Sequence, residues 1–448
     1  MTETYWLERA WLGHGDGDVV DGVVVTVEDG RFATVEAGVV ESPTGAEQLP
    51  GLTIPGMANC HSHAFHRALR GRTQRERGTF WTWREQMYAL ADRLDPDGYF
   101  DLARAVYREI AAAGFTTVGE FHYLHHGPGG TPYDDPNAMG RALVDAAREA
   151  GIRIALLDTC YLTAGIGDPA EGVQRRFSDG SADGWAARVE LLEHLGGPRD
   201  VVVGAAVHSV RAVPRDQIGQ VAAWAEHHQA PLHVHLSEQV AENEACRAAY
   251  GMTPTGLLAE AGALGRRTTV VHATHLTDSD VDRLGSTRTH ACFCPTTERD
   301  LGDGIGPSRR LYESGAPLTL GSDSHAVIDP FEEMRAVELD ERLATRQRGH
   351  WSAEELLAAA TTAGHASLGF EGAGRIAEGA PADLVTLDTS SPSTAGTGAS
   401  LETAVFAATA ADVVHVISAG RVVVTTGDRH EIGRDLDAVI TRLWKDSA

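Results

Sequence analysis

The chain has 448 residues, 42% hydrophobic and 23% charged, with a formal net charge of −25. That length and composition belong to a globular protein with one large and one smaller domain, or two of ordinary size. The acid excess argues against a nucleic-acid partner or an anionic membrane surface, because phosphate binding needs clustered Lys and Arg.

Met1–Gly15 shows no basic start followed by an apolar stretch, so no secretory signal is expected. Trp6–Gln48 reads as several short strands with turn signals at His14-Gly15-Asp16-Gly17 and Glu28-Asp29-Gly30. No helix follows the first Gly-rich turn, which makes it a hairpin loop rather than a phosphate cradle. From residue 52 onward, eight β-type runs alternate with helical patterns. The runs are Thr53–Cys60, Thr116–Phe121, Arg153–Thr159, Val201–Val207, Pro231–Leu236, Thr268–His272, Thr289–Cys294 and Pro317–Leu320. Helical stretches between them include Tyr99–Ala113, Pro136–Ala150, Arg215–His228 and Pro254–Gly262. This alternation predicts parallel sheet, and eight units predict a (β/α)₈ barrel over residues 52–375. Beyond Arg375 the strand character returns at Asp383–Asp388 and Val413–Thr426, around a Ser/Thr/Gly/Pro-rich loop at Ser390–Ser400. Residues 1–51 and 376–430 are therefore expected to form one small discontinuous β-sandwich domain, and residues 431–448 a closing helix centred on Leu436–Trp444. No apolar run approaches the ~20 residues of a membrane helix.

Four ligand-type signals stand at the ends of barrel strands, the face on which such barrels build their sites. They are His61-Ser62-His63, His235 followed by Glu238, His272, and Ser322-Asp323-Ser324-His325. Residues two apart on a strand face the same side, so His61 and His63 can both enter the lumen. An isolated pair of this kind would read as core histidines; the later motifs turn it into a metal site. His233 and His235 alternate on their strand, with His235 favoured as ligand. Three imidazoles, the Asp323 carboxylate and an open position describe a catalytic divalent metal. Zn²⁺ suits the imidazole-rich set best, with Fe²⁺ and Mn²⁺ as alternatives. The only lysine is Lys445. A carboxylated lysine bridging two ions in mid-barrel is therefore unavailable, and one metal is expected. The five cysteines, Cys60, Cys160, Cys246, Cys292 and Cys294, form no disulfide framework and fit a reducing cytoplasm. Cys292 and Cys294 read as packing residues.

These residues resemble the amidohydrolase superfamily, in its mononuclear deaminase branch, and more narrowly the deiminases of histidine degradation that act on N-formimidoyl-L-glutamate. The segments that carry the resemblance are Pro55–Phe65, Phe80–Glu85, Glu120–His126, His208–Val213, Val271–His275 and Leu301–Gly304. The resemblance implies a homodimer and hydrolytic deamination with one metal held by His61, His63, His235 and Asp323. It implies that Asp323 takes the proton of the attacking water, Glu238 carries protons to the leaving group, and His272, rather than His275, stabilises the developing charge.

A dicarboxylate amidine substrate needs guanidinium partners that overcome the acid background, and Arg84 and Arg211 are the candidates. The resemblance adds Tyr123 and His208 as hydrogen-bonding partners, with Trp81 and Trp83 as walls. At His66 the family pattern often has glutamine; both side chains can donate a hydrogen bond to substrate. Two other readings stay open: a deaminase of an N-guanidino acid or heterocyclic amine, and a non-catalytic assembly protein of the same fold. The zinc cytidine-deaminase class is disfavoured, since its Pro-Cys-x-x-Cys ligand motif is absent.

Overall fold

The computed structural model describes the chain apart from residues 1–2, 15–16, 75–79, 196, 198 and 446–448, together with the side chains of residues 80, 81, 193 and 194. Four strands open the fold: β1 (Glu3–Trp11), β2 (Val19–Glu28), β3 (Arg31–Ala37) and β4 (Glu47–Pro55). Three more barrel-type strands follow, β5 (Met57–Ser62), β6 (Phe115–His122) and β7 (Arg153–Cys160), and then a small hairpin of β8 (Thr163–Gly165) and β9 (Asp168–Pro169). The rest are β10 (Val201–Val207), β11 (Leu232–Leu236), β12 (Thr268–His272), β13 (His290–Phe293), β14 (Leu318–Leu320), β15 (Leu384–Leu387), β16 (Val413–Ser418) and β17 (Arg421–Thr425).

Eight parallel strands run in the order β14-β13-β12-β11-β10-β7-β6-β5. A parallel bridge between Ser62 and Asp323 links the two outer strands. There the Asp323 N–H donates to the His61 carbonyl (2.9 Å) and the His63 N–H to the Asp323 carbonyl (3.2 Å), so the barrel closes at its functional mouth. The (β/α)₈ expectation is met. Both chain ends supply a second sheet in the order β17-β16-β15-β4-β1-β2-β3. Its strands pair antiparallel except β1 with β4, and Leu7, Val23, Val25, Leu49 and Ile417 build its own core.

The stretch Thr53–Cys60, read from sequence as one strand, is two. Up to Pro55 the backbone pairs with β1 and β15 in the end sheet; from Met57 it pairs with β6 in the barrel. Gly56 makes the passage: a Cβ there would lie 2.4 Å from Thr116 Oγ1 and 2.7 Å from Asp383 Cβ. Apolar character continues through the corner because both sides are buried, so hydrophobic pattern alone could not divide it.

The helices follow local chemistry. Pro96–Ala112 starts earlier than its apolar pattern because Asp95 caps it, accepting from the Gly98 N–H at 2.8 Å, with Pro96 in the first turn. Ala138–Ala150 ends at Gly151, whose φ of 79° suits a residue without a Cβ. Among the described residues no helix is long and apolar enough to cross a membrane. All five cysteines are free and buried.

Candidate metal centre and active site

His61, His63, His235 and Asp323 converge at the barrel mouth, each offering one ligand atom, all within 4.8 Å of one another. His63 Nδ1–H donates to the Phe121 carbonyl and His235 Nδ1–H to the His208 carbonyl, both at 3.0 Å. A carbonyl only accepts, so these bonds fix the tautomer and leave both Nε2 lone pairs bare. His61 Nε2 lies 3.0 Å from His235 Nε2, and Asp323 Oδ1 lies 3.5 Å and 3.3 Å from Nε2 of His61 and His63. Among the described residues, His61 Nδ1 is buried without a partner. Burial is the main force keeping His61, His63 and His235 below the ordinary imidazole range, which leaves the neutral form a metal requires. Converging lone pairs beside a carboxylate, out of water, are costly alone and are what a cation satisfies. The donor set fits a divalent metal ion. His233 points away, donating Nε2–H to the Ser367 carbonyl at 3.2 Å, so the choice of His235 on that strand agrees with the geometry.

A second grouping, His122, His125 and Asp158, is also buried. Its carboxylate is already engaged: Arg188 donates twice to Asp158 at 2.8 Å and Trp185 once at 3.0 Å. That arrangement is a structural ion pair beneath the mouth.

Glu238 and His272 flank the centre. Nε2 of His272 lies 3.9 Å from Glu238 Oε1 and 3.7 Å from Asp323 Oδ2, and its Nδ1 lies 3.3 Å from Glu298 Oε1. Burial alone would lower the His272 imidazole, but Glu238, Glu298 and Asp323 together hold it well above its usual 6.5. His275, its rival in the sequence, does not border the cavity.

That cavity opens at the barrel mouth beside His63, His235 and Asp323. Its walls include His66, Trp83, Arg84, Tyr123, His208 and Arg211, all foreseen from sequence. His66 Nε2 is 2.9 Å from the Tyr123 hydroxyl, and Trp83 stands edge-on to His66 with ring centroids 5.2 Å apart. The side chain of Trp81 lies outside the described residues. Arg211 sits 3.4 Å from Glu242 Oε2 and 4.0 Å from Glu238 Oε2.

Sequence reasoning missed Tyr88, Tyr161, Glu242 and Glu298. Tyr161 follows β7 directly, so its place at a strand's C-terminal end was an available signal. Glu298 and Glu242 lie in the first turns of Pro295–Leu301 and Val240–Tyr250, where a carboxylate ordinarily reads as a solvated helix start. Their burial comes from the packing of neighbouring barrel loops, which local sequence does not display.

The chain can now be set beside known proteins. Residues 52–423 match the amidohydrolase family. A formimidoylglutamate deiminase from Pseudomonas aeruginosa is 39% identical over 402 residues, covering 86% of this chain and 87% of that protein. An 8-oxoguanine deaminase from the same organism is 29% identical, covering 95% and 94%. Among solved structures, an amidohydrolase from Brucella melitensis superposes with a TM-score of 0.89 at 32% identity, covering 98% of this chain and 99% of that one. An adenosine deaminase from Xanthomonas campestris, at 21% identity and a TM-score of 0.85 over 99% and 98%, shares the fold. With a barrel, a histidine–aspartate centre and these relatives in view, the chain belongs to the amidohydrolase family and is one of its hydrolytic deiminases.

Proposed function

We propose that the chain converts N-formimidoyl-L-glutamate and water to N-formyl-L-glutamate and ammonia, with one Zn²⁺ at His61, His63, His235 and Asp323. One observation carries the reading: a single cavity is lined both by Glu238, His272 and Asp323 and by Arg84 and Arg211. A neutral flat base has no use for two arginines, whereas two carboxylates do. The Pseudomonas aeruginosa relative supports the same substrate. The lone lysine, Lys445, ends the helix Arg429–Lys445 and supports a single ion.

When bound, the ion acts as a Lewis acid and lowers the pKa of water from 15.7 toward ~7. The protein groups do the rest. Arg84 and Arg211 hold the carboxylates, and His66, Tyr123 and His208 supply hydrogen bonds around the amidine. As water adds to the formimidoyl carbon, Asp323 accepts its proton on Oδ2. Glu238 takes the second proton from the added oxygen and delivers it to the nitrogen that departs. Asp323 releases the first to the same nitrogen, and both water protons end on ammonia as the C–N bond breaks. His272, beside Glu238 and Asp323, stabilises the charge that builds at the attacked centre.

The test is ammonia release from N-formimidoyl-L-glutamate by the zinc-loaded protein, beside N-guanidino-L-glutamate and guanine. Turnover of the formimidoyl compound in preference to the other two is expected. Preferred turnover of guanidino-glutamate or guanine would overturn the substrate while keeping the deaminase chemistry.

A further inference from the structure

Behind one wall of the cavity lies a polar side chain that the reaction above does not use. Gln174, in the 3₁₀ turn Gly172–Phe177, is buried. Its amide orientation is settled by its own backbone: Glu171 N–H donates to Gln174 Oε1 at 3.2 Å, closing a capping box. An N–H cannot accept, so the oxygen must face it and the NH₂ group must face the other way. There, Gln174 Nε2 stands 3.0 Å from the Tyr88 hydroxyl and 3.0 Å from the Tyr161 hydroxyl. The two amide hydrogens are thus spent on two phenol oxygens. Tyr88 accepts a second bond, from Arg84 Nε–H at 2.6 Å.

These bonds have a consequence for the cavity, which both tyrosines line. Tyr88 thus accepts twice and Tyr161 once, so neither phenol hydrogen can go to Gln174 or to Arg84 Nε. One hydrogen can pass between the two phenols; at least one is then left to point into the cavity beside Arg84. Tyr161 stays protonated, because burial holds its phenol well above the ordinary 10. The wall next to Arg84 can therefore offer a hydroxyl hydrogen to a ligand in the cavity.

We propose that Gln174 is a positioning residue for anion recognition, turning a hydroxyl hydrogen of the Tyr88–Tyr161 pair toward a substrate carboxylate held at Arg84. The identity of that carboxylate rests on the substrate reading above. Gln174→Glu keeps the size and the acceptor for the Glu171 N–H but reverses the polarity: a carboxylate draws the phenol hydrogens back and adds repulsion.

The experiment is calorimetric binding of N-formyl-L-glutamate and of its uncharged diamide to the zinc-loaded protein. In Gln174→Glu the charged ligand should bind about tenfold more weakly or worse, and the diamide within about twofold of the unmodified protein. The double variant Tyr88→Phe/Tyr161→Phe, which adds no charge to the interior, should show the same selective loss and covers a folding failure of Gln174→Glu. Equal weakening of both ligands, no weakening, or no preference of the unmodified protein for the charged ligand would overturn the proposal. Failure of the substrate reading looks different: no ammonia from N-formimidoyl-L-glutamate, with the Gln174-dependent preference for the carboxylate intact.

Discussion

Ser237 enters the left-handed region with φ of 51°, and His272 (70°), Asp323 (41°) and His325 (58°) do the same at other strand ends of the barrel. Each costs about 1 kcal/mol or more for a residue with a Cβ and persists only where its surroundings insist on it. At Ser237 they do: its N–H donates to Glu242 Oε1 (3.2 Å) and its hydroxyl to Asn243 Oδ1 (2.8 Å), and the turn presents Glu238 to the cavity. Glu242 also faces Arg211 through its other oxygen, so one buried carboxylate steadies both the turn that carries Glu238 and the Arg211 guanidinium. If Glu238 moves the protons, Glu238→Gln should lower kcat by roughly 10²–10⁴-fold. Metal content, read by atomic emission, should stay at one ion per chain, since Glu238 is outside the ligand set. Loss of metal together with activity would recast Glu238 as a structural support of the centre.

Where β5 meets β14, buried polar groups align the ligands. Asn59 Nδ2 donates to Ser322 Oγ (2.6 Å) and the Ser322 N–H to Asn59 Oδ1 (3.0 Å). His325 is 3.0 Å from Ser322 Oγ and 3.1 Å from Ser62 Oγ. Glu120 on β6 accepts from the Ser62 hydroxyl and the Ala64 N–H, both at 2.7 Å, and so grips both flanks of His63. Burial raises the Glu120 carboxyl from 4.5 to about 7, against the pull of the Ala64, Ser62 and Tyr107 donors. The sign of the linkage is then fixed. The folded state binds this proton more tightly than the unfolded chain, so the contribution is full below pH 4.5 and is lost as pH rises through about 7. Its size is about 3 kcal/mol. Glu120→Gln removes the titration, and the amide can keep both contacts if Ser62 passes its proton to His325. Denaturant unfolding of the chelator-treated protein should show the variant gaining on the unmodified protein by that amount between pH 4.5 and 8. Parallel pH profiles for the two proteins would refute the assignment.

Across the whole molecule, a buried ion pair joins the two sheets. Arg153 on β7 donates to both oxygens of Asp383, the residue just before β15, one bond being 3.1 Å long, and side-chain exposure is 4% and 2%. Asp383 also takes the Ala419 N–H at 2.8 Å, and its carbonyl takes the Gly56 N–H at 3.1 Å, so the corner between end sheet and barrel closes on this one residue. Removing one partner leaves the other charge uncompensated in the interior. Asp383→Ala should therefore cost about 3–5 kcal/mol in equilibrium unfolding, more than an exposed pair such as Arg9–Asp21 could. A loss below ~1 kcal/mol would mean that water reaches Arg153.

The barrel and the histidine–aspartate cluster at its mouth were legible in the chain because the signals are local. Strand–helix alternation is a period written in side-chain polarity, and His61, His63, His235, His272 and Asp323 each end an apolar run, so their face of the barrel follows from topology. The assembled rim then places Arg84, Tyr123, His208 and Arg211 around one cavity. Other features depended on contacts between residues far apart in sequence. Pairing alone shows that Pro55 and Met57 serve different sheets, since both are buried and apolar. Glu242 and Glu298 look like solvated helix starts until other loops cover them. The orientation of the Gln174 amide, and with it the direction of a phenol hydrogen, is set by a backbone donor on one side and tyrosines from two other elements on the other. Hydrogen-bond direction is a property of the assembled site, because each partner's role is decided by what the others can no longer do.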